Sequence, residues 1–411
     1  GKYRGPLHGI PYGLKDLFAV KGTKTTWGAA PYKDQTIDED SYVYTKLKES
    51  GAVLVAKFTL GALAMGDWWF GGRTKNPWHF DYSPGSSSGG EAAAIASGIV
   101  PFGIGEDTTC SLRLPAHYCG ITTIKPSSGR VPRTGHIPNP GNILDGLWQL
   151  GPLAREVRDL EIILAIISGP DWIDPSVVPM PLVDSELINL SQIRIAYHTD
   201  NKVLSPESAI QNAIIYAVDI LKNNVKTITH AIPAGQDQAT ELCSKLYSLD
   251  KGRFIQRLLK SCGTTDIHPS LLKLLSDLET NFAELDVNQV LSDLYHYQSR
   301  LLTFFADHDV LICPAMPSTA RTPAEINKPF VDQNTDFNKA YNYYVYQIAY
   351  CLLGLPMMIV PICLNERGLP ITVQLVGAPW SEAVLFRVGK FIEEKIAFHD
   401  NYIQLFSRLY T

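Results

Sequence analysis

Between Pro84 and Pro126 the chain reads PGSSSGGEAAAIASGIVPFGIGEDTTCSLRLPAHYCGITTIKP, and no other stretch limits its fold as tightly. Three consecutive serines bounded by glycines prescribe a tight turn, because glycine admits backbone angles closed to other residues and serine hydrogen-bonds its own backbone. The small residues of Glu91–Gly98 then prescribe a helix whose backbone approaches its neighbours closely. Taken alone, a glycine-rich turn at a helix start also suits a phosphate-cradling nest. Neither GxxxxGK[ST] nor GxGxxG occurs to support that reading.

Around this stretch, short apolar β-branched runs alternate with amphipathic segments. A helix near Asp40–Ser50 leads into a strand over Ala52–Phe58, and further strands are expected at Ile193–Tyr197, Val310–Cys313 and Met357–Leu364. This rhythm predicts an α/β sheet assembled from distant parts of the chain. Ser205-Pro206-Glu207 predicts a capped helix start running to about Leu221, and most of 205–306 reads as helical. With 411 residues, 45% hydrophobic and 19% charged, the chain can bury one large core. We therefore expect a single domain over 1–411, with a core at about 1–180 and 305–400 and a variable, helical, substrate-shaping region at about 184–306.

Charge and cysteine usage exclude several function classes. Thirty-six basic against 41 acidic residues give a net charge of -5, with no basic run interleaved with aromatics, so nucleic acid is not an expected direct partner. Seven scattered cysteines without a CxxC predict reduced thiols and a cytoplasmic location rather than a disulfide framework or zinc site. The apolar stretch Tyr346–Leu364 is interrupted by Gln347, Gly354, Pro356 and Pro361, which predicts a helix followed by a buried strand and no membrane span. Gly1–Ile10 lacks a secretory pattern and reads as a chain that starts part-way through. His8, His79, His117 and His136 lack metal-ligand spacing and read as structural histidines. Trp68, Trp69 and Phe70 read as core in preference to pocket.

The serine-rich stretch resembles the amidase signature family, whose core is GGSSGG, a small-residue helix, and a D-T-G-G-S-[IV]-R-x-P-A segment. The matching residues are Gly85-Ser86-Ser87-Ser88-Gly89-Gly90 and Asp107-Thr108-Thr109-Cys110-Ser111-Leu112-Arg113-Leu114-Pro115-Ala116, with Ser87 and Ser111 24 positions apart. Gly9-Ile10-Pro11 with Lys15-Asp16 looks like the family's lysine motif. Gly151-Pro152-Leu153-Ala154-Arg155, Gly354-Leu355-Pro356 and Val373-Gln374-Leu375-Val376-Gly377 carry the likeness across nearly the whole chain.

The resemblance implies a large mixed central β-sheet covered on both faces by helices. It also implies hydrolysis of a small-molecule carboxylic amide without any cofactor or metal. Ser111 would be the nucleophile, Lys15 the base, and Ser87 the relay between them. A serine hydroxyl needs a base. A lysine can serve only as the neutral amine, which from a reference pKa near 10.4 requires a depression of about 3 units, roughly 4 kcal/mol, by burial. We expect Lys15, Ser87 and Ser111 in one hydrogen-bonded row, with Lys15 buried away from any carboxylate and the Ser86–Ser87 peptide bond cis.

By the same resemblance the backbone N–H groups of Thr108, Thr109, Cys110 and Ser111 hold the oxyanion, Ser88 and Asp107 support the lysine and the turn, and Arg113 fixes the loop. Two departures stand out: Ser86 replaces a glycine, and Thr109-Cys110 replaces Gly-Gly beside the nucleophile. An amidotransferase-type glutaminase or acyl-transfer enzyme, and an amidase-like binding protein with impaired catalysis, remain alternatives. A homodimer is also open.

Overall fold

Strands form where apolar β-branched runs such as MMIVPICL can be buried on a pleated surface, and the run VLVAKF forms an edge strand with Val53 and Val55 exposed. The computed structural model describes residues 1–138, 141, 144–263, 272–273, 275–277, 285–332 and 337–410. Its strands are β1 (Pro11–Lys15), β2 (Val53–Phe58), β3 (Trp68–Trp69), β4 (Gly72–Arg73), β5 (Phe102–Asp107), β6 (Thr122–Lys125), β7 (Gln149–Ala154), β8 (Arg194–Tyr197), β9 (Thr227–His230), β10 (Val310–Pro314), β11 (Met357–Leu364) and β12 (Pro370–Gly377). Ten of them build one mixed sheet in the order β2-β1-β5-β7-β6-β11-β12-β10-β8-β9, and β3 and β4 form a separate hairpin.

Strand β1 lies parallel between β2 and β5, whereas β5, β7, β6, β11, β12 and β10 succeed one another antiparallel. Flanking the sheet are α1 (Tyr42–Glu49), α2 (Gly89–Ala96), α3 (Arg113–Cys119), α4 (Val157–Ile167) and α5 (Ser208–Leu221), with further helices toward the C-terminus. The apolar stretch near Tyr346 becomes the helix Val345–Cys351 followed by β11. Among the described residues no helix is long and apolar enough to cross a membrane.

Three expectations need correction. Helix α5 starts at Ser208, and Glu207 makes no side-chain cap; the Ser205 hydroxyl donates to Asp200 Oδ2 at 2.6 Å, a local acceptor that outcompetes the helix end. Within 205–306 the described residues include β9 besides the helices; its TITH sequence is mostly exposed at the sheet edge and so lacks an apolar signal. Residues 264–271, 274 and 278–284 of that region lie outside the described ones. The aromatic cluster is not core: Trp68 is 48% and Phe70 41% exposed, because the β3–β4 hairpin lies at the surface.

Of the flagged histidines, His8 and His79 are exposed, while His117 and His136 are buried and His198 joins them. Burial lowers His117 and His136 to about 4 and His198 to about 3. These rings are neutral in the fold, so their stabilising contribution is present above the unfolded value of 6.5 and is lost as pH falls toward 4. A shift of this size corresponds to roughly 3 kcal/mol for each ring. Calorimetry at fixed ionic strength should show the melting temperature falling between pH 6.5 and 4, less steeply in His117→Gln. Equal slopes for the two proteins would defeat this account.

Candidate active site

Parallel pairing of β1 with β5, in the register Leu14↔Ile104, brings Lys15 beside Glu106 and the turn that follows it. Lys15 is fully buried at the end of β1. Its Nζ donates to Ser87 Oγ at 2.7 Å, to Glu106 Oε2 at 3.2 Å and to the Glu106 carbonyl at 3.4 Å. The carboxylate beside Lys15 overturns the expectation that none would be close. Its cause is strand register, which joins residues 91 positions apart and leaves no mark in either local sequence.

The serine turn forms as its glycines require. Gly85 has φ +84°, and a Cβ there would come within 2.7 Å of the Pro115 backbone. A Cβ on Gly90 would meet the Thr59 carbonyl at 2.4 Å, so α2 can seat on the loop after β2 only without one. The Ser86–Ser87 peptide bond is cis. The Ser88 N–H donates to the Ser111 carbonyl at 3.2 Å and so ties the two serine turns together. The Ser88 hydroxyl donates to the Glu106 carbonyl at 3.4 Å, the same atom that accepts from Lys15, so Ser88 braces the end of β5 rather than the lysine itself.

The segment 107–113 is organised by one buried ion pair. Arg113 Nε donates to Asp107 Oδ2 at 3.0 Å and Nη2 to Oδ1 at 3.0 Å, with both side chains fully buried. Asp107 also accepts the N–H groups of Leu112 and Arg113, while Arg113 donates to the carbonyls of Thr109 and Gln347. Burial alone would raise the Asp107 carboxyl, but the charge and hydrogen bonds of Arg113 outweigh it and hold the group below the usual carboxylate range. Asp107 thus shapes the turn and does not touch Lys15.

Four consecutive N–H groups, those of Thr108, Thr109, Cys110 and Ser111, make no hydrogen bond among the described residues. The Ser111 hydroxyl likewise has no partner there, so the row runs from Lys15 to Ser87 and stops short of Ser111. Neither Thr109 nor Cys110 has a positive φ, which is why side chains are tolerated at these two positions. Thr109 Oγ1 lies 3.1 Å from the Tyr341 hydroxyl in a hydrogen bond, and Cys110 packs against the core. Burial pushes the Cys110 thiol up to about 12, leaving it unreactive near neutral pH.

Sequence reasoning missed Glu106, the tyrosines of 341–344 over the turn, and Glu91. Glu91 is fully buried on α2 with neither carboxyl oxygen hydrogen-bonded among the described residues. Burial pushes it well above the usual carboxylate range, against the opposing pull of Lys15. A lone acid within a small-residue helix was the available signal for Glu91. Nothing comparable marked Tyr341, which reaches Thr109 across 232 positions.

Comparison with known proteins agrees with this arrangement. The family model described as Amidase matches residues 1–386. A glutamyl-tRNA(Gln) amidotransferase subunit of Legionella pneumophila (strain Paris) is 32% identical over 430 residues, covering 96% of this chain and 85% of its own. The solved structure of the corresponding subunit from Thermotoga maritima superposes with a TM-score of 0.80 at 25% identity, covering 98% of this chain and 86% of that one. A 6-aminohexanoate cyclic dimer hydrolase complexed with substrate superposes with a TM-score of 0.85 at 24% identity over 98% and 88%, a likeness of fold alone. With a match over most of its length and a large mixed sheet flanked by helices, this chain belongs to the amidase signature family.

Proposed function

We propose that the protein hydrolyses a carboxylic amide through an acyl-enzyme on Ser111. The observation that carries this reading is the 2.7 Å hydrogen bond between the buried Lys15 amine and Ser87, next to a turn with a half-buried serine and four N–H groups left unbonded among the described residues. In the amine form Lys15 takes the proton of Ser87 as Ser87 takes that of Ser111, and Ser111 Oγ bonds to the amide carbon. Oxygen gains negative charge and is met by the N–H groups of 108–111, where a single such donor contributes about 2.7–4 kcal/mol. Ser87 then protonates the departing nitrogen as the C–N bond breaks, and water releases the acid by the same route. Glu106, whose carboxylate lies 3.2 Å from Lys15 Nζ, is placed to stabilise the positive charge that forms once Lys15 has taken the proton.

A second reading is glutamine hydrolysis with transfer of the ammonia, as the amidotransferase name of the relatives suggests. Simple amides and glutamine, each tested with and without hydroxylamine as acceptor, discriminate the two. A fluorophosphonate should label Ser111 and spare Cys110 in the peptide mass spectrum. An adduct on Cys110, or full activity in Ser111→Ala, would sink the assignment.

A further inference from the structure

Thr109 sits in the middle of the turn proposed to hold the oxyanion, and two kinds of bond restrain it. Its carbonyl accepts from Arg113 Nη2 at 2.5 Å and from the Cys351 thiol at 3.5 Å. The peptide bond to Cys110 is trans, so fixing this carbonyl aims the Cys110 N–H the opposite way. The other restraint belongs to the side chain: Thr109 Oγ1 and the Tyr341 hydroxyl lie 3.1 Å apart in a hydrogen bond. Thr109 is only 6% exposed, so little water competes for that bond. Rotation about φ and ψ of this one residue would tilt its own N–H relative to that of Cys110, and a tethered side chain resists the rotation. A glycine has no side chain to tether.

Tyr341 is itself held in place. Its ring packs against Tyr344 at 5.4 Å between centroids, and Tyr344 against Tyr343 at 5.3 Å. The Tyr343 hydroxyl is hydrogen-bonded to that of Tyr118 at 2.9 Å and to that of Ser318 at 2.5 Å. Tyr118 lies on α3, the helix that follows Ser111. Asn342, next to Tyr341, accepts a hydrogen bond through Oδ1 from the Thr240 hydroxyl on the helix Ala239–Ser248. A rack of tyrosines anchored on two helices thus presents one hydroxyl to the turn.

We propose that Tyr341 is a positioning residue for the reaction: through the Thr109 hydroxyl it sets the angle between the N–H groups of Thr109 and Cys110, and so how well both meet the oxyanion. The proposal rests on the acyl-enzyme reading and requires no contact between Tyr341 and the substrate. Donor placement matters most where negative charge has developed, so its loss falls on kcat and spares substrate binding.

Tyr341→Phe and Thr109→Val each remove one partner of the bond, and valine keeps the β-branched shape. Each should lower kcat by about ten- to a hundredfold with KM within about threefold, as a small misplacement of catalytic groups does. The double variant should be no worse than either single one, because both hydroxyls act through one bond. Thr109→Ser, which restores a hydroxyl, should recover most of the loss. Fluorophosphonate labelling of Ser111 should slow in parallel, since the phosphonyl oxygen gains charge in the same place. Effects that multiply in the double variant would mean that Tyr341 acts on the substrate itself and would overturn the proposal. A raised KM with unchanged kcat, or labelling at the unmodified rate, would do the same. Each hydroxyl is removed separately, so if one variant fails to fold the other still decides. A protein that, unmodified, neither labels at Ser111 nor cleaves amides would overturn the acyl-enzyme reading and this proposal together.

Discussion

Lys15→Met is expected to lower kcat/KM for any amide the enzyme turns over by about four orders of magnitude near neutral pH, the upper end of what a positioned base supplies. Methionine fills the buried volume but leaves the Glu106 carboxylate buried without its cation. The melting temperature should therefore fall, as for any one-sided loss of a buried pair, while the protein that remains folded has no turnover, which calorimetry and steady-state kinetics on the same sample would reveal. Glu106→Gln tests the ion pair: a buried ammonium formed during proton transfer is costly without its counter-ion, so kcat should fall although Lys15 keeps its bond to Ser87. An unchanged kcat would show that the carboxylate does not support the proton transfer. Measurable activity in Lys15→Met at neutral pH would remove lysine from the mechanism.

The second large effect concerns stability. Arg113→Ala leaves Asp107 buried without its cation and strips donors from the carbonyls of Thr109 and Gln347. Breaking a buried pair from one side costs about 3–5 kcal/mol, a large share of the roughly 5–15 kcal/mol that separates most folded domains from their unfolded chains. Urea unfolding should report that loss, and activity should fall with it because the turn bearing Ser111 depends on the same bonds. The double variant Arg113→Leu with Asp107→Leu should recover part of the stability and none of the activity. An unchanged midpoint in Arg113→Ala would show that the pair does not hold the turn. The lowered Asp107 carboxyl adds an acid dependence of its own: its contribution is complete above the ordinary carboxylate range and is lost as pH falls below it.

Much of the fold is legible along the chain, because burial on a pleated surface and on a helix face both leave periodic signals. The strands at 194–197, 310–314 and 357–364 are marked in this way, while the edge strand at 53–58 is marked by its β-branched residues alone. The exposed strand Thr227–His230 and the surface hairpin at 68–73 bury too little for the same signal, so neither announces itself in the pattern of residues. At the site, local sequence dictates the turn chemistry: glycine where a Cβ would strike backbone at 85 and 90, serines at 87 and 111, and a lysine whose neighbours mark it as more than a surface cation. The electrostatics come from long-range packing alone. Glu106 meets Lys15 through the parallel register of β1 and β5, and Tyr341 reaches Thr109 from the far end of the chain. Residue types and turns are local properties that short-range sterics impose. The charge next to a buried amine depends on which distant strand lies alongside, and that is settled by packing of the whole sheet.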